Sequence, residues 1–120
     1  MGVTKFKFQP DSSLNVTVNV FTFFAGLGGW YSYRMSKAAL NMATKNLSVE
    51  FGRGQNKIVC VSLHPGTVDT DLSRPYHKNV PEGKLFTTEY SIDCLMGIIS
   101  SLKVSDSGKY FNWDGSELPF

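Results

Sequence analysis

Lys57-Ile58-Val59-Cys60-Val61-Ser62-Leu63 is a nearly unbroken apolar run of strand length, and His64-Pro65-Gly66 ends it sharply. A run of this kind, without polar alternation, suits a parallel strand covered on both faces. Its neighbours fit that reading. Residues 31–51 carry good helix formers, among them Ala38, Ala39, Leu40, Met42, Ala43 and Leu47, and Gly52 and Gly54 stop the helix. Its alanines are small enough to let a sheet or a second helix approach closely. Residues 88–102 read as another helix, with Thr87 or Thr88 as N-cap and Glu89 in the first turn. Ser91, Leu95, Ile98 and Leu102 share one of its faces, and Cys94 flanks that stripe.

Further out, Val16, Val18 and Val20 alternate with Asn15, Thr17 and Asn19, which predicts a strand over 15–24. Gly26, Gly28 and Gly29 then make a turn, and Lys109-Tyr110-Phe111-Asn112-Trp113 closes the chain as a short aromatic strand covering a sheet edge. The first fifteen residues are polar, carry Pro10 and read as a loose leader. Residues 67–86, with Pro75, Pro81 and Gly83, read as one long loop, most mobile over 71–86. Strand, helix, strand, helix, strand is the order of an α/β fold with a parallel sheet and right-handed crossovers.

The 120 residues make one small domain, 42% apolar and 18% charged, which excludes disorder. A net charge of +2 with scattered cations forms no basic stripe, so neither nucleic acid nor an anionic membrane is an expected partner. Cys60 and Cys94 are far apart with no CxxC near either, which argues against a disulfide scaffold or structural zinc and for a reducing compartment. Both are expected to be buried small hydrophobes. The apolar stretch from Val16 to Trp30 is interrupted by Thr17, Asn19, Thr22 and three glycines and is no membrane span. Polar residues between Lys7 and that stretch argue against a signal peptide, and Phe6 stands where myristoylation needs Ser or Thr, so the expected compartment is the cytoplasm.

Chemistry is concentrated in Tyr33-Arg34-Met35-Ser36-Lys37. Residues i and i+4 of a helix share a face, so a phenol and an ammonium lie side by side. A cation a few ångströms away lowers a tyrosine pKa by roughly 1–3 units, which would poise Tyr33 for proton transfer. Alone, such a pair is usually an ordinary feature of a helix surface. Here it opens a helix behind a strand and a glycine turn, and the next strand ends in His64-Pro65-Gly66-Thr67-Val68-Asp69-Thr70-Asp71.

Together with Gly29-Trp30-Tyr31-Ser32-Tyr33-Arg34-Met35-Ser36-Lys37-Ala38-Ala39-Leu40-Asn41, this pattern resembles the short-chain dehydrogenase/reductase family. It is similar in particular to the branch of the bacterial C-factor and its carbonyl-reductase-like relatives. The resemblance runs from about residue 26 to the C-terminus, and implies the C-terminal half of a Rossmann-type doubly wound sheet over 26–120 behind a divergent leader and first strand at 1–25. It implies an NAD(P)(H)-dependent oxidoreductase acting on a small-molecule carbonyl or alcohol, with NADP(H) ahead of NAD(H), and leaves a homo-oligomer open. Tyr33 would be the catalytic acid or base. Lys37 would lower its pKa and bind the nicotinamide ribose. Past the Pro65–Gly66 turn, Val68 through its backbone and Thr70 through its hydroxyl would hold the carboxamide, at the carboxyl end of a strand where doubly wound sheets bind ligands.

Three features of the pattern are missing. No serine stands about a dozen residues before Tyr33, where Thr22 is a weak stand-in; the family's structural asparagine has no counterpart; and the glycine-rich cofactor loop is absent. Gly26-Leu27-Gly28-Gly29 lacks GxGxxG spacing. The sequence therefore looks like a truncated or alternatively spliced product, inactive by itself. The alternative is a non-catalytic fragment acting through protein–protein contact. A triad of Ser62, His64 and Asp69 is disfavoured by their closeness on one strand-to-loop passage. His64 is expected in a loop near the cofactor mouth, and His77 in solvent.

Overall fold

The computed structural model describes residues 4–7, 13–18, 29–53 and 57–120. The expected strand at 57–63 is β3, Val59–His64, and all six of its residues are buried. It pairs in parallel with β2, Ser13–Val18, on one side and with β6, Tyr110–Asn112, on the other. This parallel centre has antiparallel edges: β1, Thr4–Lys7, on β2, and β7, Glu117–Leu118, on β6. The sheet is therefore mixed, in the order β1-β2-β3-β6-β7, rather than all parallel. The early residues are no loose leader where β1 pairs with β2, because a strand with an open edge gains a ladder of hydrogen bonds. The strand expected at 15–24 begins at Ser13, and its part beyond Val18 lies outside the described residues.

The two faces of β3 are chemically different, and its period of two explains why. Val59, Val61 and Leu63 point one way and form the core with Ile99 of α2, Thr88–Ser101, with Leu95, Ile98, Leu102 and Phe111 packed around them. The α2 stripe read from the sequence faces inward, with Ile99 added. Thr87 caps α2, its hydroxyl accepting from the Tyr90 amide at 3.2 Å. Cys60, Ser62 and His64 alternate with those core residues, and the Ser62 hydroxyl donates to Thr44 of α1, Tyr31–Phe51, at 3.1 Å.

The inward residues of α1 are polar: Lys37, Asn41, Thr44 and Ser48. Its alanines at 38, 39 and 43 lie outside, so the close approach rests on Thr44 and Ser48 instead. Both hydroxyls are satisfied within the helix, Thr44 donating to Leu40 O at 3.0 Å and Ser48 to Lys45 O at 2.7 Å. A hydroxyl bonded this way can face a sheet without desolvation cost. Outward-facing Tyr31, Met35, Met42 and Val49 are exposed, Met35 by 71% and Met42 by 61%.

Residues 67–86 are more ordered than one long loop. They contain β4, Thr67–Val68, a 3-10 helix at Arg74–Asn79, and β5, Leu85–Phe86, which pairs with β4 in parallel. The closing aromatics are likewise dispersed. Tyr110 is buried and its ring lies 5.9 Å from that of Phe120, Phe111 joins the core, and Trp113 packs on Phe86 at 4.7 Å. With β7 beyond it, β6 is not an edge strand.

Leu63 is fully buried between sheet and α2. Leu63→Ala is expected to lower the unfolding free energy by about 2–5 kcal/mol in urea titration, and a loss below about 1 kcal/mol would show that β3 is not the packing centre.

Candidate active site

Tyr33 and Lys37 stand one turn apart at the start of α1. Lys37 is only 4% exposed and Tyr33 is half-buried. The ammonium lies over the phenol ring, 5.6 Å from its centroid, a cation–π geometry. The expected lowering of the Tyr33 pKa is not what results. Burial raises Tyr33 from its ordinary 10.0, and burial lowers Lys37 from its ordinary 10.5. Each shift favours the neutral form, because a partly desolvated site penalises charge. Tyr33 therefore holds its proton throughout the neutral range.

Trp30 immediately precedes this helix, and its carbonyl accepts the Arg34 amide at 2.8 Å. Its backbone is left-handed, φ 57 and ψ 34, a conformation that costs a bulky residue about 1–3 kcal/mol. The Trp30 ring meets Tyr33 edge-on at 5.7 Å and Tyr76 of the 3-10 helix at 4.3 Å.

The second group of residues follows β3. The Pro65 carbonyl accepts the Ser91 hydroxyl of α2 at 2.9 Å, which fixes the turn to the helix. Gly66 has φ +77, and a Cβ there would run into the Phe86 ring and approach Trp113. Only glycine fits. Val68 sits in β4, its carbonyl accepting the Ser73 hydroxyl at 2.6 Å, and the Thr70 amide donates to the same Ser73 oxygen at 3.1 Å. Thr70 is exposed.

His77 is only partly exposed. Its Nε2 lies 2.9 Å from Ser73 Oγ and 3.6 Å from Asp69 Oδ1. The Ser73 hydroxyl, whose shortest contact is Val68 O at 2.6 Å, thus links β4 to the His77 ring. Sequence spacing did not single out Ser73 or Tyr76, although Ser73 precedes a Pro-containing turn, a signal for a local capping hydroxyl. The disfavoured triad is absent: Ser62 is buried and bonded to Thr44, and exposed Asp69 approaches His77. His64 is the last, buried residue of β3 rather than part of a loop. Cys60 is buried as expected and Cys94 half-buried, both as free thiols. Thr22, Gly26 and Gly28 lie outside the described residues.

No protein-family model matches the chain. It is 37% identical over 93 residues to C-signal of Myxococcus xanthus, covering 78% of this chain and 51% of that protein. The fold superposes on the NADPH-bound carbonyl reductase from chicken fatty liver with a TM-score of 0.70 and 31% identity, over 89% of this chain and 42% of that one. Carbonyl reductase Sniffer of D. melanogaster gives 0.71 and 34%, over 88% and 41%. The chain thus spans about half the length of the proteins it is similar to.

The phenol shift has a testable sign. The folded state holds the Tyr33 proton more tightly than the unfolded chain, so its contribution to stability is intact below pH 10 and is lost as pH rises through the folded pKa. Lys37 acts oppositely: the unfolded chain binds its proton more tightly, and the cost of charging it disappears as pH rises toward 10.5. Subtracting the Tyr33→Phe titration at 295 nm from that of the parent is expected to show a phenolate forming above 10.0. A midpoint below 10.0 would mean that the ammonium outweighs burial.

Proposed function

This chain belongs, over about half the length of the proteins it matches, to the short-chain dehydrogenase/reductase family, and from that premise we propose that it carries the proton-transfer and nicotinamide-facing half of an NADP(H)-linked carbonyl or alcohol oxidoreductase. The observation that carries this reading is Tyr33 with Lys37 one turn on, in a helix bonded through Thr44 to Ser62 of a buried parallel strand. The domain is read as the C-terminal half over 26–120. NADP(H) is preferred to NAD(H) because the chicken carbonyl reductase is NADPH-bound. The reading places the protein in the cytoplasm, consistent with two free cysteines; among the described residues no helix is long and apolar enough to cross a membrane. Its partner is a small carbonyl or alcohol rather than nucleic acid.

The residues present fit a nicotinamide. Thr70 is exposed, β4 ends two residues before it at Val68, and the turn they follow is fixed by the Phe86 and Trp113 rings packed on Gly66. When bound, NADPH supplies the hydride. The chain's own residues do the rest. Pro65 and Gly66 set the turn, Val68 through its backbone and Thr70 through its hydroxyl would hold the carboxamide, and Lys37 would hold the ribose hydroxyls. Tyr33, a phenol protonated at neutral pH and shifted further upward by burial, gives its proton to the substrate oxygen, the role of a general acid in carbonyl reduction.

Pyrophosphate anchoring has no counterpart in these 120 residues, since no GxGxxG occurs in them. A few nicotinamide contacts are worth only millimolar affinity, roughly −4 kcal/mol. NADPH added to the ¹⁵N-labelled chain is therefore expected to shift the amides of residues 33–37 and 65–70 without saturating below about 1 mM, and to give no family-like turnover. Unmoved amides at both segments at about 10 mM would reject the nicotinamide site, and micromolar affinity with turnover abolished by Tyr33→Phe would reject the inactive-half reading.

A second reading is favoured by α1 itself. Its outward stripe of Tyr31, Met35, Met42 and Val49 is an exposed apolar face of the kind that engages another protein or a second copy. On that reading the chain acts by contact and not by catalysis. Met35→Glu with Met42→Glu is expected to make a self-associating chain monomeric in sedimentation velocity. An unchanged association state would remove this stripe as a contact surface.

A further inference from the structure

Among the described residues Trp30 alone combines a side chain with a left-handed backbone. The residue before it is Gly29, also at positive φ, so the chain carries two successive left-handed residues and makes the second one bulky. That choice costs stability, and the ring it positions makes two contacts, at 5.7 Å to Tyr33 and 4.3 Å to Tyr76. Tyr76 belongs to the 3-10 helix at Arg74–Asn79. Toward β4 this segment is tied by polar bonds, Ser73 to Val68 and Thr70, and His77 to Ser73. Toward α1 it is tied by the Trp30–Tyr76 ring contact.

We infer that Trp30 is a positioning residue, a latch that seats the 74–79 helix against the N-terminal end of α1 and thereby sets solvent access to the Tyr33 phenol. The left-handed turn at residues 29 and 30 brings the indole to both rings, at 74° to Tyr33 and 58° to Tyr76, and leaves Trp30 and Tyr76 each about two-fifths exposed, as a contact that can open requires. An aromatic contact suits a latch. It is worth little beyond its buried area, so it opens without disturbing the core. The consequence for reaction rests on Tyr33 being the proton donor, but the latch is physically independent of that role, and neither readout below involves turnover.

Hydrogen exchange and tyrosine nitration by tetranitromethane on the full chain test it. Trp30→Gly keeps the left-handed backbone at no steric cost and removes the side chain, and Trp30→Ala, which removes the ring without the extra backbone freedom of glycine, serves as its control. Tyr76→Ala removes the other half of the contact from a different element. Each is expected to lower protection of amides 74–80 by about tenfold and to raise nitration of Tyr33 at least about threefold. Protection over Val59–His64 and nitration of exposed Tyr31 should stay unchanged. Trp30→Phe should restore both. Unchanged amides 74–80 and unchanged Tyr33 nitration in either variant would overturn the latch. So would loss of protection in β3 alongside them, since Trp30 would then serve the whole fold. Failure of the catalytic reading would appear instead as amides 33–37 and 65–70 that NADPH leaves unmoved in the parent chain.

Discussion

Burial of Val59–His64 on both faces is the constraint on which the rest of the molecule depends. Once this strand is covered twice, α2 must bring an apolar surface to Val59, Val61 and Leu63, and α1 must meet the alternate face that carries Ser62. Burying three aliphatic side chains in this way supplies several kcal/mol. The carboxyl end of the strand is then held rigid from two sides: Ser91 of α2 grips Pro65, and the rings of Phe86 and Trp113 close on Gly66. The loop after the turn starts from a fixed point.

The polar inner face of α1 follows from the same constraint. A helix that must carry a lysine and a tyrosine to the end of a sheet cannot present a purely apolar stripe to it. Thr44 and Ser48 keep the helix close while bonding their own backbone, and Lys45 reaches the Gly108 carbonyl at 3.2 Å to fasten the C-terminal part. The apolar residues of α1 are left outside. Half-burial of the phenol then sets the direction of its pKa: desolvation raises it, while the nearby ammonium faces the ring.

Much of this was legible in the residues. The unbroken run at β3, the bounds of α1, the α2 stripe and the Thr87 cap follow from local rules of periodicity and capping. The Tyr33–Lys37 spacing and the Pro65–Gly66 turn were equally plain, since each is set within a few residues. Less legible were the two-residue strands β4 and β5 and the 3-10 helix between them, which are too short to carry a period. The two antiparallel edges escaped for a related reason: β1 and β7 are short, and their partners are chosen by position in the sheet.

By itself the sequence determined which segments could be helix or strand, where the chain must turn, and which functional groups it carries, because those depend on spacing along one chain. The tertiary structure decided the environments. Whether Lys37 lowers or fails to lower the Tyr33 pKa depends on the difference between a charge beside an oxygen and a charge over a half-buried ring. Whether His77 meets solvent or Ser73 depends on a 3-10 helix folding back on β4. Which face of α1 is inside depends on what β3 offers it. Electrostatic and solvation energies are functions of distance and exposure in space, and residues 40 positions apart acquire those only when the sheet brings them together.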